Sequence, residues 1–538
     1  MDGDELRKIA ERFRYEVAEL VATSRALSSE RDIKKLLALI LEKTRQVTGA
    51  DAGSVYVLEE DPAATLGVRR VPQKRLHFML SQNDSLKIDF QEFTLVVDEQ
   101  SIVGKAVLTA KPINIPDLYK LADPAHNPWG FTHNRSFDEK TGYRARSMLT
   151  VPMLSAENEV IGVIQLINKK RDPRIRLTSS EACDAEVVPF DERSEEFAFA
   201  LASQAGLSLE NAMLYEEIKN LFEGFVDASV MAIESRDPTT SGHSRRVATL
   251  SVALAERVDS LSSGPLASTH FTTTQLKQLE YAGVLHDFGK VGVREKVLVK
   301  AKKLYEEDLR AIRMRFAYIR KVLEGDHAER KLRMALELSR EELPIRFAEI
   351  DADLARKMSE VEAAWTFINK ANEPTVLEEG GLERLVEISQ VMYMSPEGEL
   401  RPYLEREEVA ALQVRRGSLT DVERVEIESH VVHTYNFLKK IPWGKRFADV
   451  PRIAGAHHEY LNGGGYPRRI GARDIPIESR ILTIADIFDA LTASDRPYKK
   501  AVPIDRALGI IEAEVAAGKC DRDLFRVFLE AEVYKKVL

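Results

Sequence analysis

Residues 281–292 read YAGVLHDFGKVG and residues 453–467 read IAGAHHEYLNGGGYP, and these two stretches decide how the C-terminal half is read. Each carries an adjacent pair of metal-ligating side chains, His286 with Asp287 and His457 with His458. The apolar run before His286 predicts helix. Neighbouring helical residues point about 100° apart, so one cation takes both only at a helix edge, whereas two cations flanking the helix can share the carboxylate. His243 in TSGHSRRV, His430 in ESHVVHTYNFL and Asp486 in ILTIADIFDALT extend the set to imidazoles and carboxylates from separate segments. Nitrogen and oxygen ligands without thiolate suit Fe, Mn, Zn, Ni or Co rather than Cu(I) or an iron–sulfur cluster. Two such cations about 3.5 to 4 Å apart stabilise both the entering and the leaving oxygen of an in-line phosphoryl displacement, so phosphate-ester hydrolysis is the natural chemistry. Each residue also has a bland reading. A lone helical histidine is commonly a hydrogen-bonded core residue, Asp486 a capping or salt-bridged one, Lys290 a snorkelling lysine and NGGGYP a tight turn. Lys290, Arg496 with its planar fork, and Lys499 or Lys500 are the cations suited to a substrate phosphate.

Composition sets the frame around that constellation. The chain has 538 residues, enough for two to four domains with sizeable cores. Lys plus Arg number 77 and Asp plus Glu 86, a net charge of −9 that disfavours binding polynucleotides by broad phosphate neutralisation. Cys183 and Cys520 are far apart and form no CxxC pair, which argues against a disulfide scaffold and a thiolate zinc site and fits a reducing cytosol. The N-terminus lacks an apolar signal region and no stretch approaches 18 uninterrupted apolar residues, so a cytoplasmic protein without a membrane span is expected.

Periodicity divides the chain. Residues 1–45 read as amphipathic helix through Ile9, Phe13, Val17 and Leu20, and 1–30 is set apart as an N-terminal helix. From Asp51 the period shortens to the strand-like runs SVYVL, LHFML, FTLVV, SMLTVPML and VIGVIQLIN. A helix starting near Glu195 runs on through residues 205–235 as a connector. Residues 226–303 are helical, 304–415 form a charged helical insertion with hardly a β-like run, and 416–538 return to helix.

HSRRV, LHDFGK, His430, HHEYLNGGGYP and ADIFDALTASDRPYKK, in that order, resemble the HD-GYP phosphodiesterases, a branch of the HD metal-dependent phosphohydrolases. The resemblance covers about 226–300 and 416–538. It implies an all-α domain that hydrolyses cyclic di-GMP to linear pGpG or GMP. It makes His243, His286, Asp287, His430, His457, His458 and Asp486 ligands of two divalent metal ions, Fe or Mn foremost, with Zn, Ni, Co or Mg as alternatives. Asp287 becomes the bridging carboxylate and, with Lys290, a catalytic residue. Lys290, Arg496 and Lys499 become substrate contacts, and Gly465, Tyr466 and Pro467 the signature loop, a surface for signalling partners as the insertion also is. The usual acidic residue of that loop is Asn462 here. The position four before His243 is Thr239, which favours two metals over three, with Glu234 and Asp237 as lesser substitutes.

ADAGSVYVLEED, DEQSIVGKAVLTAKPINIPD, RSMLTVPMLSAENEVIGVIQLINKK and FALASQAGLSLENA resemble a GAF domain over 31–215. That implies an α+β fold, an antiparallel sheet with flanking helices, a possible small-molecule ligand and a homodimer. Asn168 and Lys169 match the start of a cyclic-nucleotide-binding motif, whose acidic pair reads Ser194 and Glu195 here. The expected whole is a GAF sensor regulating a cyclic di-GMP phosphodiesterase. The alternatives are a catalytically weak binding scaffold and an HD hydrolase for another cyclic dinucleotide such as cyclic GMP-AMP.

Overall fold

The computed structural model describes residues 24–27, 29–60, 74–86, 92–132, 135, 138–139, 142–236, 242–493 and 501–537. Residues 1–23 of the expected N-terminal helix, together with Asp237, Thr239, Arg496, Lys499 and Lys500, lie outside them. The chain clusters into two compact units, Met1–Glu223 and Gly224–Leu538.

The first unit opens with α1, Ile33–Thr48, whose N-cap Asp32 accepts from the Lys35 N–H and which ends at Gly49 with φ of 74°. That left-handed C-cap suits glycine. The strands β1 (Ala50–Glu60), β2 (Lys74–Asn83), β3 (Thr94–Val96), β4 (Ile113–Ile115), β5 (Met148–Leu154), β6 (Val160–Lys170) and β7 (Val187–Val188) form a seven-stranded sheet. Its order is β3-β2-β1-β6-β5-β4 with β7 on β6, and its pairs are antiparallel. The helices α2 (Ile102–Thr109), α3 (Ser180–Glu186) and α4 (Glu192–Arg236) accompany it. The expected antiparallel sheet with flanking helices is what the chain forms.

Both faces of this sheet are covered, which explains why SVYVL is apolar without alternation. Val55 and Val57 pack with Leu149, Val151 and Ile164 against Leu37 and Leu41 of α1 and Ala202 and Leu209 of α4. Tyr56 faces the other way, with Phe78, Val163 and Val107 of α2. Asn168, fully buried at φ of 58°, spends its side chain on the main chain: Nδ2 donates to Arg144 O at 2.7 Å and Oδ1 accepts from the Arg146 N–H at 2.7 Å. Lys169 Nζ donates to Ser194 Oγ at 2.7 Å and lies 2.9 Å from Asp191. These two motif residues therefore pin β6 to its neighbours.

The second unit holds α5 (His243–Asp259), α6 (Thr273–Leu285), α7 (Glu295–Leu298), α8 (Glu306–Glu337), α9 (Leu343–Ala371) and α10 (Gly381–Gln390). After the strands β8 (Met392–Met394) and β9 (Leu400–Pro402) come α11 (Arg406–Leu412), α12 (Asp421–Glu428), α13 (His430–Leu438), α14 (Val450–Ala454), α15 (Ile477–Thr492), α16 (Ile504–Ala516) and α17 (Arg522–Glu530). α5 packs on α6, α15 and α17. The α5–α6 crossing is close: a Cβ on Gly283 would lie 2.9 Å from Ala248 Cα. α8 and α9 pack together around Ile312, Phe316, Val361 and Ile368, which with Leu385, Leu404 and Leu412 make a separate core. The β8–β9 hairpin departs from the purely helical expectation for this segment. Its strands of three residues are too short to print a period-two pattern, and Gly398 at φ of 82° supplies the turn between them. Among the described residues no helix is long and apolar enough to cross a membrane.

Candidate metal centre

α6 is started by a capping box, with Thr272 Oγ1 accepting from the Gln275 N–H and Gln275 returning the bond. It stops at His286, which is still helical at φ −57° and ψ −33°. Asp287 turns to φ −96° and ψ 4° and opens a 3-10 turn, Phe288–Gly292. The adjacent pair thus sits at a helix edge, and the backbone turn lets both side chains join one cluster of donor atoms. His457 and His458 are likewise in a turn, just after α14. His243 and His430 are first residues of α5 and α13, while Asp486 lies inside α15.

The structure brings all of these together. His430 Nε2 is 3.3 Å from Asp287 Oδ1, and His286 Nε2 is 3.5 Å and His243 Nε2 3.8 Å from Asp287 Oδ2. Asp486 Oδ1 is 3.2 Å from His243 Nε2 and 3.7 Å from His286 Nε2, and Asp486 Oδ2 is 3.9 Å from His458 Nδ1. Donor atoms within 4.8 Å of one another form the triplets His430–His457–His458, His243–His286–Asp287 and His286–His457–Asp486. Lys290 Nζ lies 2.9 Å from Asp287 Oδ2.

The ring orientations test whether these residues fit a cation. His286, His430 and His457 each direct Nδ1 at the carbonyl three residues earlier, Gly283, Ile427 and Ala454, at 2.7, 2.5 and 2.6 Å. Those bonds place the proton on Nδ1, leaving Nε2 as a lone pair aimed inward. The three Nε2 atoms are buried without a hydrogen-bond partner. Convergent unpaired lone pairs beside two carboxylates suit divalent cations with nitrogen and oxygen preference. His243 is held differently, its Nδ1 at 2.8 Å from Asp489 Oδ2.

Electrostatics follow from that packing. Burial lowers His457 well below its ordinary value, lowers His458 to about 4 and also lowers His430, so all three are neutral near pH 7. Burial also opposes charge on His243, but hydrogen bonds to Asp486 and Asp489 overcome it and raise the ring to about 9. A cation taken at that ring displaces its proton. Asp287 and Asp486 are penalised by burial yet held well below the usual carboxylate range, Asp287 chiefly by the Lys290 ammonium and Asp486 by His243 and His286.

Supporting residues that the sequence reading passed over close around this set. Asp489, one turn after Asp486, accepts from Arg246 Nε at 2.6 Å and Nη2 at 3.0 Å as well as facing His243. The spacing DIFD and the arginine three after His243 were the available signals. Thr434 Oγ1 donates to His286 O at 2.9 Å and accepts from the Gly289 N–H at 2.8 Å, tying α13 to the Asp287 turn. Thr483 Oγ1 donates to His457 O at 2.7 Å. Gly289 is where α13 comes closest: a Cβ there would collide with His430 O and the Thr434 nitrogen. Gly289→Ala is expected to cost about 1–3 kcal/mol. It should also loosen His430 from Asp287, read as a lowered Tm together with reduced metal content.

The signature loop covers one side. Gly465 admits no side chain, since a Cβ would meet His458 O and Tyr460 N. The Tyr466 N–H donates to His458 O at 3.1 Å, and its ring lies 4.8 Å from the His458 ring. Burial raises the Tyr466 hydroxyl above its ordinary value, so it stays protonated. Pro467 follows through a cis peptide bond. Glu459 closes the loop by accepting from the Arg468 and Ile470 N–H groups at 2.7 and 3.1 Å. Asn462 Oδ1 accepts from the Gly464 N–H at 2.9 Å, serving the turn that an acidic residue would also serve.

Known proteins match these same parts. Residues 32–209 match the GAF domain family, and residues 240–365 and 407–524 match two HD domain families. Among curated relatives, a 3'3'-cGAMP-specific phosphodiesterase 3 of Vibrio cholerae is 44% identical over 102 residues, 19% of this chain and 21% of that protein. The 3'3'-cGAMP-specific phosphodiesterase 1 of the same organism is 35% identical over 21% of this chain and 25% of its own length. The cyclic di-GMP phosphodiesterase response regulator RpfG of Xanthomonas campestris pv. campestris is 38% identical over 19% of this chain and 26% of its own length. The chain thus spans about a fifth to a quarter of the length of these three relatives.

Proposed function

From a chain built of a GAF domain followed by an HD domain, we propose a metal-dependent phosphodiesterase that opens a cyclic dinucleotide, with cyclic di-GMP as substrate and pGpG or GMP as product. The observation that carries the reading is the set of buried, inward-facing Nε2 atoms of His286, His430 and His457 around Asp287 and Asp486. His243, His286, Asp287, His430, His457, His458 and Asp486 would hold two divalent ions, Fe or Mn foremost. Such ions supply charge stabilisation on phosphoryl oxygens and lower the pKa of a bound water.

The chain's own residues do the rest. Asp287 lies between the imidazoles and the Lys290 ammonium, and Lys290 offsets charge on a non-bridging oxygen of the phosphodiester. Arg496 and Lys499, outside the described residues, are assigned to the second phosphate. Tyr466, against His458, keeps its proton and shields that ring from solvent. Each turnover adds one water across one P–O bond, which places a proton on the leaving 3′ oxygen.

A second reading, 3′3′-cGAMP as substrate, is favoured by the 44% identity to a protein named for that specificity. Chelation should abolish turnover of the purified full chain, and Mn or Fe should restore it. Cyclic di-GMP, 3′3′-cGAMP and cyclic di-AMP compared by product formation then rank the substrates. Tight binding by the metal-loaded protein without any linear product would overturn the enzymatic reading in favour of a binding scaffold. The reading further takes the protein as a cytoplasmic homodimer whose GAF domain binds a small molecule and whose insertion and signature loop meet signalling partners.

A further inference from the structure

Arg236, the last residue of α4, reaches the turn that carries Lys290. Its Nη1 donates to Val291 O at 2.6 Å and its Nη2 to Val293 O at 3.3 Å. Among the described residues no carboxylate pairs with this guanidinium, so its charge is spent on two carbonyls that follow Lys290 by one and three positions. Hydrogen bonds from an ionised donor are about twice as strong as neutral ones, and a planar fork fixes the direction of both.

The other ties on the 3-10 turn Phe288–Gly292 favour its start. Thr434 bonds to His286 O and to the Gly289 N–H, and the Phe437 ring lies 3.9 Å from that of Phe288. Beyond Lys290, the Val293 N–H donates to Lys290 O at 3.0 Å, a bond within the segment that fixes its shape but not its place. His433 packs on Gly292 without a hydrogen bond to it. Arg294 pairs with Glu426 of α12 through its N–H and its guanidinium, but its side chain is 63% exposed, and exposed ion pairs hold little. The Arg236 fork is therefore what places the half of the turn that follows Lys290.

We propose that Arg236 is a positioning residue of the reaction, holding the Lys290 ammonium, 2.9 Å from Asp287 Oδ2, where it meets a non-bridging oxygen of the phosphodiester. The inference rests on the phosphodiesterase reading above and extends it to a side chain that belongs to none of the donor triplets. With the fork gone Lys290 shifts, while His286 and Asp287 stay held from α13 through Thr434. A small misplacement of a catalytic group costs up to about 10²-fold in rate.

Arg236→Gln in the full-length chain should lower turnover about 10- to 100-fold at unchanged metal content per chain. Arg236→Lys, which keeps a charged donor but lacks the fork, should fall between the two. The decisive measurement is a double-mutant cycle with Lys290→Ala, run with enzyme in excess of substrate so that slow single turnovers are read. If Arg236 acts through Lys290, adding Arg236→Gln to Lys290→Ala changes the rate by less than about 2-fold, whereas a structural role unconnected with Lys290 multiplies the two losses. Thermal unfolding checks that each variant is folded at the assay temperature, and Arg236→Lys carries the cycle if the glutamine variant is not. Multiplied losses, a wild-type rate in Arg236→Gln, or metal content that falls with the rate overturns the proposal. A metal-loaded wild type without any turnover would instead sink the phosphodiesterase reading, and the proposal with it.

Discussion

Replacing Asp287 with alanine is expected to lower cyclic-dinucleotide turnover by about 10³-fold, equivalent to about 4 kcal/mol at the transition state. Its two oxygens face His430 at 3.3 Å, His286 at 3.5 Å, His243 at 3.8 Å and Lys290 at 2.9 Å. Asp486, the other carboxylate of the set, faces His243, His286 and His458. Without Asp287, the part-buried Lys290 ammonium loses the carboxylate 2.9 Å away, and cation binding at the site weakens. Metal content by elemental analysis should fall in parallel with turnover. Asp287→Asn, which keeps the shape and removes the charge, should behave nearly as alanine does. A variant at Asp287 that keeps both its metal and its activity would sink the assignment.

Asp489→Ala should produce the second largest effect, although Asp489 belongs to none of the clustered donor triplets. Its carboxylate receives Arg246 through two nitrogens and sits 2.8 Å from His243 Nδ1, with the Asp489 side chain buried. Removing Asp489 takes a charged hydrogen-bond partner from the part-exposed Arg246 and the buried His243, and about 2 kcal/mol of stability is expected to go with it. The metal effect is separate. A carboxylate on the far nitrogen of a ligating imidazole fixes its tautomer and raises its basicity, and losing such a group weakens metal binding about 10- to 100-fold. Arg246→Gln should reproduce much of the stability loss, since it removes the same pair, but spare most of the metal affinity, because Asp489 still faces His243. Titration of metal into both variants, with thermal unfolding alongside, separates positioning from scaffolding. Equal metal affinity for wild type and Asp489→Ala would remove Asp489 from the site.

Two features of the second unit were not decided by the sequence, and for one cause. Adjacent ligands in LHDFGK share one cation only at a helix edge, and the alternative was two cations flanking the helix. In the structure the helix ends at His286, and Asp287 adopts a backbone conformation outside the helical region, so that both side chains join one donor cluster. No propensity marks that break, because His, Asp and Phe are all tolerated in helices. The break is stabilised from outside the segment, by Thr434 bonding to His286 O and to the Gly289 N–H. The β8–β9 hairpin escaped for a similar reason, its three-residue strands being stabilised by each other rather than by any pattern within them.

Ligand chemistry and domain character were legible in the chain itself. Imidazole and carboxylate are the metal-binding groups that a cysteine-poor sequence offers, and the period of apolar residues changes from helical to strand-like and back where the architecture changes. Carbonyls three residues earlier hold each Nδ1 locally, and the tertiary structure alone decided that the three Nε2 atoms they leave free converge on Asp287 and Asp486. It alone decided that Asp489 and Arg246 stand behind His243, an arrangement spanning 243 and 246 positions in sequence. Spacing along a chain constrains partners within a few helical turns. Partners hundreds of residues apart are set by how α5 and α15 pack, and that packing is a property of the folded core.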